Sequence, residues 1–266
     1  MDGECDGMSE NMVQRSENSG HMRRMAIRSG VAAALMCLCV SGAWAAESHP
    51  DFTGVWRGMR SNGDPNFVRG WPKDMPLRDE ARRRMEAYHA LVDPNGETPG
   101  GWCVGTGMPG SLLESGGYPM EIIQKPDQVT VIYEAHTELR RIYISGPKAH
   151  VAEGDLFPTR NGYSVGRWEG DVLVVETDHL KEQFDETAVH SANAHITTRY
   201  RMSKGDDGKR VLTAELTMTD PDFYTKPVTV TKTWVEADPD TRMMLYECNE
   251  PAWEEHLQDL QAKAGQ

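Results

Sequence analysis

Between residues 121 and 248 apolar and polar side chains alternate in short runs, the period-two signature of strands with one buried face. The runs are Glu121–Lys125, Gln128–Glu134, Glu138–Ile144, Tyr163–Trp168, Asp171–Thr177, Ala194–Met202, Val211–Met218, Val228–Glu236 and Met243–Cys248. The clearest signal is the stretch Gly162–Thr177, where two β-rich runs flank Glu169-Gly170 and predict an antiparallel hairpin. Lys125-Pro126-Asp127 and Lys204-Gly205-Asp206-Asp207-Gly208 are further turn signals, so consecutive strands are expected to pair antiparallel. Asp51–Gly58 adds an opening strand in which Trp56 is expected to plug one end of a barrel. With roughly ten strands, the predicted fold is mainly β, an antiparallel lipocalin-like β-barrel with one or two short helices; a two-sheet sandwich is the alternative.

The period changes between Met75 and Val92, where Leu77, Ala81, Met85, Tyr88 and Leu91 fall at helical spacing and Pro76 suits a first turn. A second short helix is expected at Trp253–Leu260. The Gly- and Pro-rich stretch from Asp93 to Gly117 has no usable period and reads as a lid-like loop over a barrel mouth. No internal repeat is present.

Composition changes the picture at the N-terminus. Arg23, Arg24 and Arg28 precede the apolar run Val31–Val40, which leads to Ala43-Trp44-Ala45. That is the pattern of a secretory signal peptide, preceded by an extension with Met22 or Met25 as alternative starts. Residues 1–45 are therefore expected to be extension and signal, and residues 46–266 a single barrel domain in the periplasm or secreted. The chain carries 28 basic and 41 acidic residues; residues 1–45 hold 4 and 5 of these, leaving 24 against 36. An acidic domain without a basic stripe points away from nucleic acid and anionic membrane surfaces, so a small molecule is the expected partner and no membrane partner is expected after signal cleavage. The oligomeric state is open. Beyond the signal only Cys103 and Cys248 remain. In an oxidising compartment they form either a disulfide or two buried thiols.

Candidate chemistry gathers in two clusters. On the strand 194–202, His195, Thr197, Arg199 and Arg201 share one face and Ile196, Thr198, Tyr200 and Met202 the other. The polar face points either into a wet cavity or into solvent. An imidazole beside a guanidinium suits proton transfer next to a developing oxyanion, so His195 is assigned as general base with Arg199 stabilising charge. His190, at the strand entrance, lies either at the cavity rim or on the surface. On the strand 138–144, alternation separates Leu139, Arg141 and Tyr143 from Glu138, Arg140 and Ile142. Burying Arg141 on an otherwise apolar face is costly without an anion, which makes it half of an ion pair with a carboxylate such as Glu176, or a ligand anchor. Tyr143 is the expected hydrogen-bond donor, Glu138 or Glu176 the orienting carboxylate, and Glu138, Glu176, Trp168 and Tyr200 the expected substrate contacts. Asp220 is read as a turn cap, and Glu247 as a carboxylate or a solvated edge residue.

Motifs for serine nucleophiles, P-loops, dinucleotides and helical zinc sites are missing from the sequence. The residues therefore point to a chemistry without cofactor or metal. Gly54-Val55-Trp56 resembles the G-x-W opening of lipocalins. The ordered set Asp51–Trp56, Arg141-Ile142-Tyr143, Gly166–Thr177 with its W-E-G-D hairpin, His190-Ser191 with His195, Asp220-Pro221 and Tyr224-Thr225 resembles a broad family of exported, mostly uncharacterised bacterial proteins. Val172 stands where that resemblance implies Thr. The likeness implies an architecture and recurring histidines, and it implies no substrate.

The leading expectation is a cofactor-independent acid/base enzyme, a lyase, dehydratase or isomerase, acting on a small, partly apolar aromatic or terpenoid molecule in the barrel. A non-catalytic periplasmic binding protein for an apolar ligand is the alternative, and a metal-assisted hydrolase built on His190 and His195 the third reading.

Overall fold

In a computed structural model, residues 49–59, 67–68, 70–95, 98–113, 117–184 and 188–249 are described. The expectations for residues 1–45 and for a helix at Trp253–Leu260 lie outside them. The described chain is mainly β. In chain order the strands are β1 (Gly54–Gly58), β2 (Phe67–Val68), β3 (Trp71–Pro72), β4 (Met120–Lys125), β5 (Gln128–Tyr133), β6 (Glu138–Tyr143), β7 (Tyr163–Glu169), β8 (Val172–Asp178), β9 (His195–Lys204), β10 (Arg210–Thr219) and β11 (Val228–Glu236). β2 and β3 form a small ribbon, and the other nine close into a lipocalin-like barrel in the order β1-β11-β10-β9-β8-β7-β6-β5-β4, with β4 returning to β1.

Nine is an odd number, and a closed ring of strands can alternate direction throughout only if their number is even. One pair must run parallel, and here it is β6 with β7. This corrects the expectation of antiparallel pairing between all consecutive strands. The parallel ladder holds only Ile142 opposite Ser164 and Tyr143 opposite Val165, whereas β9 and β10 are matched from His195–Thr219 to Lys204–Arg210. Parallel neighbours need a connection that returns along the barrel. Residues 144–162 supply it, with short 3-10 turns at Pro147–Ala149 and Glu153–Asp155.

Alternation then builds the interior. Met120 and Ile122 of β4, Val129, Val131 and Tyr133 of β5, Leu173 and Val175 of β8, Ile196 and Tyr200 of β9, Leu212, Ala214, Leu216 and Met218 of β10, and Val228, Val230 and Trp234 of β11 are buried together. Each large apolar side chain in this set stabilises the barrel by roughly 1.5–3 kcal/mol. Trp56 is enclosed as expected, its Nε1–H donating to the Phe52 carbonyl at 2.9 Å. Arg210 lies over the indole, 5.1 Å from the ring centroid, and donates to the carbonyls of Asp51 and Thr53. The first strand is thereby clamped to β10.

Three local expectations change. The β7–β8 turn is Gly170-Asp171, because Glu169 pairs with Val172; Gly170, at φ +59, supplies the left-handed residue that such a two-residue turn needs. The helix α1 spans Asp79–Val92 rather than starting near Met75, since Leu77 is taken up in a bridge to Tyr224; it buries Ala81 while Leu91 stays exposed. Residues 243–248 form no strand: Cys248 is held by a disulfide to Cys103, and Met244 N–H donates to Glu134 instead of joining a ladder.

The stretch 93–117 is in part a plug. Met108, Leu112 and Leu113 belong to the core, and the short helix α2 (Gly110–Leu113) is buried throughout. The Met108–Pro109 bond is cis.

Candidate functional site

The plug is held by side chains from several elements. Glu138, at the start of β6, accepts from Gly107 N–H at 2.7 Å, the Asn161 amide at 2.8 Å and the Thr106 hydroxyl at 3.2 Å. The Gln183 amide donates to the Thr106 carbonyl, and Arg160 Nε–H donates to the Gly105 carbonyl. His190 is fully buried here. Its Nδ1 lies 3.0 Å from the Ser191 carbonyl and its Nε2 3.1 Å from the Met108 carbonyl and 3.3 Å from Gln183 Oε1. Burial pushes the imidazole pKa down, against the Ser191 carbonyl, the Asp220 charge and the Met108 carbonyl, which favour the proton. Asp220, also buried, accepts from Ser191 N–H and Oγ–H and from the N–H groups of Asp222 and Phe223. It is the turn cap the sequence predicts. His190 and Glu138 thus fasten the closing segment rather than rim an open mouth.

The interior face of β9 carries Ile196, Thr198 and Tyr200, so His195, Thr197 and Arg199 lie on the outside, correcting their expected place in the cavity. Outside, His195 bridges Asp178 at 2.6 Å and Glu176 at 2.8 Å, and Arg199 pairs with Glu169 at 2.7 Å. Desolvation works against the imidazolium, but the bonds and charges of Asp178 and Glu176 outweigh it and raise its pKa. Glu176 also pairs with Arg167. These residues form an ion-pair strip on the wall, well suited to solvation and poorly suited to chemistry in the lumen.

The buried cation is Arg140, and the expected Arg141 is exposed, because the inner face of β6 is Glu138, Arg140 and Ile142. Arg140 is 1% exposed. Its Nε–H donates to Ser164 Oγ at 3.2 Å, Nη1 to the Tyr200 hydroxyl at 3.0 Å and Nη2 to Thr177 Oγ1 at 2.9 Å. Ser164 and Thr177 are themselves 2.9 Å apart. Among the described residues no carboxylate accepts a hydrogen bond from this guanidinium. Tyr133, on β5, has a buried hydroxyl that faces the Arg140 guanidinium, with no partner at full hydrogen-bond geometry. Burial raises its pKa well above that of an ordinary phenol, with Tyr200 and Glu138 adding to the shift and the Arg140 charge opposing it. Five consecutive strands, β5 to β9, therefore contribute Tyr133, Arg140, Ser164, Thr177 and Tyr200 to one polar belt inside an apolar barrel.

The belt is adjacent to a break in the wall. Where the β6–β7 ladder is short, a cleft of about 310 Å³ opens between β6 and residues 159–164. Its lining includes the buried Arg140 and Ser164, the outward Arg141, the half-buried Arg160, and Tyr143 and Tyr163, whose rings are 5.4 Å apart. Burial also raises the Tyr163 pKa, with a smaller contribution from Tyr143. Three arginines line the cleft and no acidic residue does.

Of the expected site residues the structure thus brings Arg141 and Tyr143 to the cleft and Tyr200 to the belt behind it. Trp168 reaches the same interior through Phe52, whose ring lies 5.4 Å from Trp168 and 6.5 Å from Tyr200. Arg140, Ser164, Thr177 and Tyr133 were missed. Among the described residues no group of three or more His, Cys, Asp or Glu side chains is placed to hold a metal ion, and His190 and His195 do not share a site. No protein-family model matches this chain, and no curated protein is similar to it.

Proposed function

We propose that the protein is a small-molecule binding barrel of an exported compartment, taking a partly apolar ligand at the seam between β6 and β7. The observation that carries this reading is the cleft itself, a concave site of about 310 Å³ with aromatic walls, whose lining includes the buried pair Arg140 and Ser164. That volume suits a molecule of one or two rings, at the small end of ordinary ligand sites. The disulfide between Cys103 and Cys248 supports the exported location, since such bonds persist outside the reducing cytosol.

N-phenyl-1-naphthylamine, an uncharged two-ring fluorophore, tests the reading on the purified protein. Saturable binding of one equivalent is expected, weakened about five- to tenfold by Tyr143→Ala because an aromatic wall is lost. Binding that ignores Tyr143→Ala would move the site elsewhere and defeat the proposal.

A second reading, acid–base turnover, is favoured by the contact between Arg140 and Tyr200. Arg140 would stabilise an oxyanion and the Tyr200 O–H, not consumed by the bond it accepts, would transfer a proton. The strip around His195 takes no part. Mass spectrometry of ligand before and after incubation separates the two: an unchanged mass fits the binder, a converted one the enzyme.

A further inference from the structure

We infer that the ligand is an anion, a small aromatic or terpenoid-sized molecule with a carboxylate or comparable oxyanion, and that Arg140 is its anchor. The inference rests on the proposed seam site and names the chemistry that site selects.

Three observations carry it. First, Arg140 is buried with hydroxyl partners only. Neutral hydroxyls engage three of its five N–H groups and do not balance its charge, and a buried charge with no carboxylate bonded to it is costly. Second, the sign of the cleft is opposite to that of the molecule. The chain carries a net charge of −13, yet the cleft lining holds Arg140 and Arg141, beside an Arg160 engaged with the plug, and no aspartate or glutamate. A concave site of one sign concentrates ligands of the other. Third, the Tyr133 hydroxyl is buried in the same belt against the Arg140 guanidinium, with no partner at full hydrogen-bond geometry. An oxyanion drawn in toward Arg140 would accept from a guanidinium and find phenol and alcohol donors around it, while its ring lay against Tyr143 and Tyr163. An arginine kept only to stitch β6 to β9 does not explain the sign of the cleft lining.

The test compares two dyes on the purified protein: 1-anilinonaphthalene-8-sulfonate, which is anionic, and N-phenyl-1-naphthylamine, which has the same rings without the sulfonate. The wild-type protein is expected to bind the sulfonate at least about tenfold tighter, the order of one charge-assisted contact. Arg140→Met should remove that advantage, bringing the affinities for the two dyes together. A competition on wild-type protein stands beside it and needs no variant: cinnamate should displace the bound dye at about one tenth of the concentration that cinnamamide requires. Equal dye affinities together with equal displacement by acid and amide would overturn the anion anchor and leave the seam site standing. If neither dye bound saturably, the seam site and the anchor would fall together.

Discussion

A guanidinium enclosed by Ser164, Thr177 and Tyr200 uses three of its five N–H donors on neutral hydroxyls and has no carboxylate bonded to it, and this incompleteness at Arg140 organises the site. Residues retained for binding are often poor for stability. Arg140→Met keeps the length of the stem, removes the buried charge and leaves Ser164 bonded to Thr177. Thermal unfolding of this variant is expected to show stability within about 2 kcal/mol of wild type, or a gain; a loss well beyond that would mark Arg140 as a structural stitch. His195 behaves in the opposite manner, as an exterior residue whose pKa is raised by Asp178 and Glu176 against desolvation. A raised folded pKa means that its contribution is full below the unfolded value of about 6.5 and is lost as pH rises through the folded value. His195→Gln should therefore cost stability at pH 5.5 and almost nothing at pH 9, by less than about 1 kcal/mol because the pair is screened by solvent. Ligand affinity should not change. The alternation of β6 was legible, but which face it buries was not. Arg141 sits beside Tyr143, and Arg140 beside Ile142, so β6 alone does not decide. The register does, since Arg140 lies opposite Val131 and Ile142 opposite Val129 on the apolar face of β5. A one-residue choice of this kind exchanges the whole face.

At the scale of elements, the closing segment 104–113 matters most, and its role was only partly readable. The composition from Asp93 to Gly117 indicates a loop, while the buried Met108, Leu112 and Leu113 make part of it a plug. Its partners Glu138, Arg160, Gln183 and His190 are distant in sequence, so no local pattern announces them. Gly107 is essential to the plug: at φ +71 an added Cβ would meet the Arg160 carbonyl at 2.5 Å. Gly107→Ala is expected to lower stability by about 1–3 kcal/mol from the left-handed backbone alone, with overlap adding to it, read from thermal unfolding. His190 ties the plug to pH. Its depressed folded pKa means a contribution present above about pH 6.5 and lost as pH falls toward the folded value. Amide exchange in 104–113 should accelerate below about pH 6 relative to the strands, once the intrinsic pH effect is removed, and His190→Gln should abolish that excess. The disulfide adjoins this plug. Cys103→Ala with Cys248→Ala opens a loop of sequence separation 145 and should cost about 2–4 kcal/mol in denaturant unfolding.

At the scale of the molecule, nearly every strand was visible in the alternation, and the barrel follows from them. The parallel seam was not, because it is a property of the whole ring: nine strands force one parallel pair, and only the final order places it at β6 and β7. The run 243–248 looked like a strand yet has no free edge to join, since β1 already sits between β11 and β4. The sequence thus indicates which residues can be strands, and closure decides which of them pair and where the wall opens. The most direct test of the account is a crystal structure of the protein with 1-anilinonaphthalene-8-sulfonate. The account predicts the dye in the cleft between β6 and residues 159–164, its sulfonate within hydrogen-bond distance of the Arg140 guanidinium and its rings against Tyr143 and Tyr163. A dye bound anywhere else, with Arg140 still enclosed by Ser164, Thr177 and Tyr200, would contradict it.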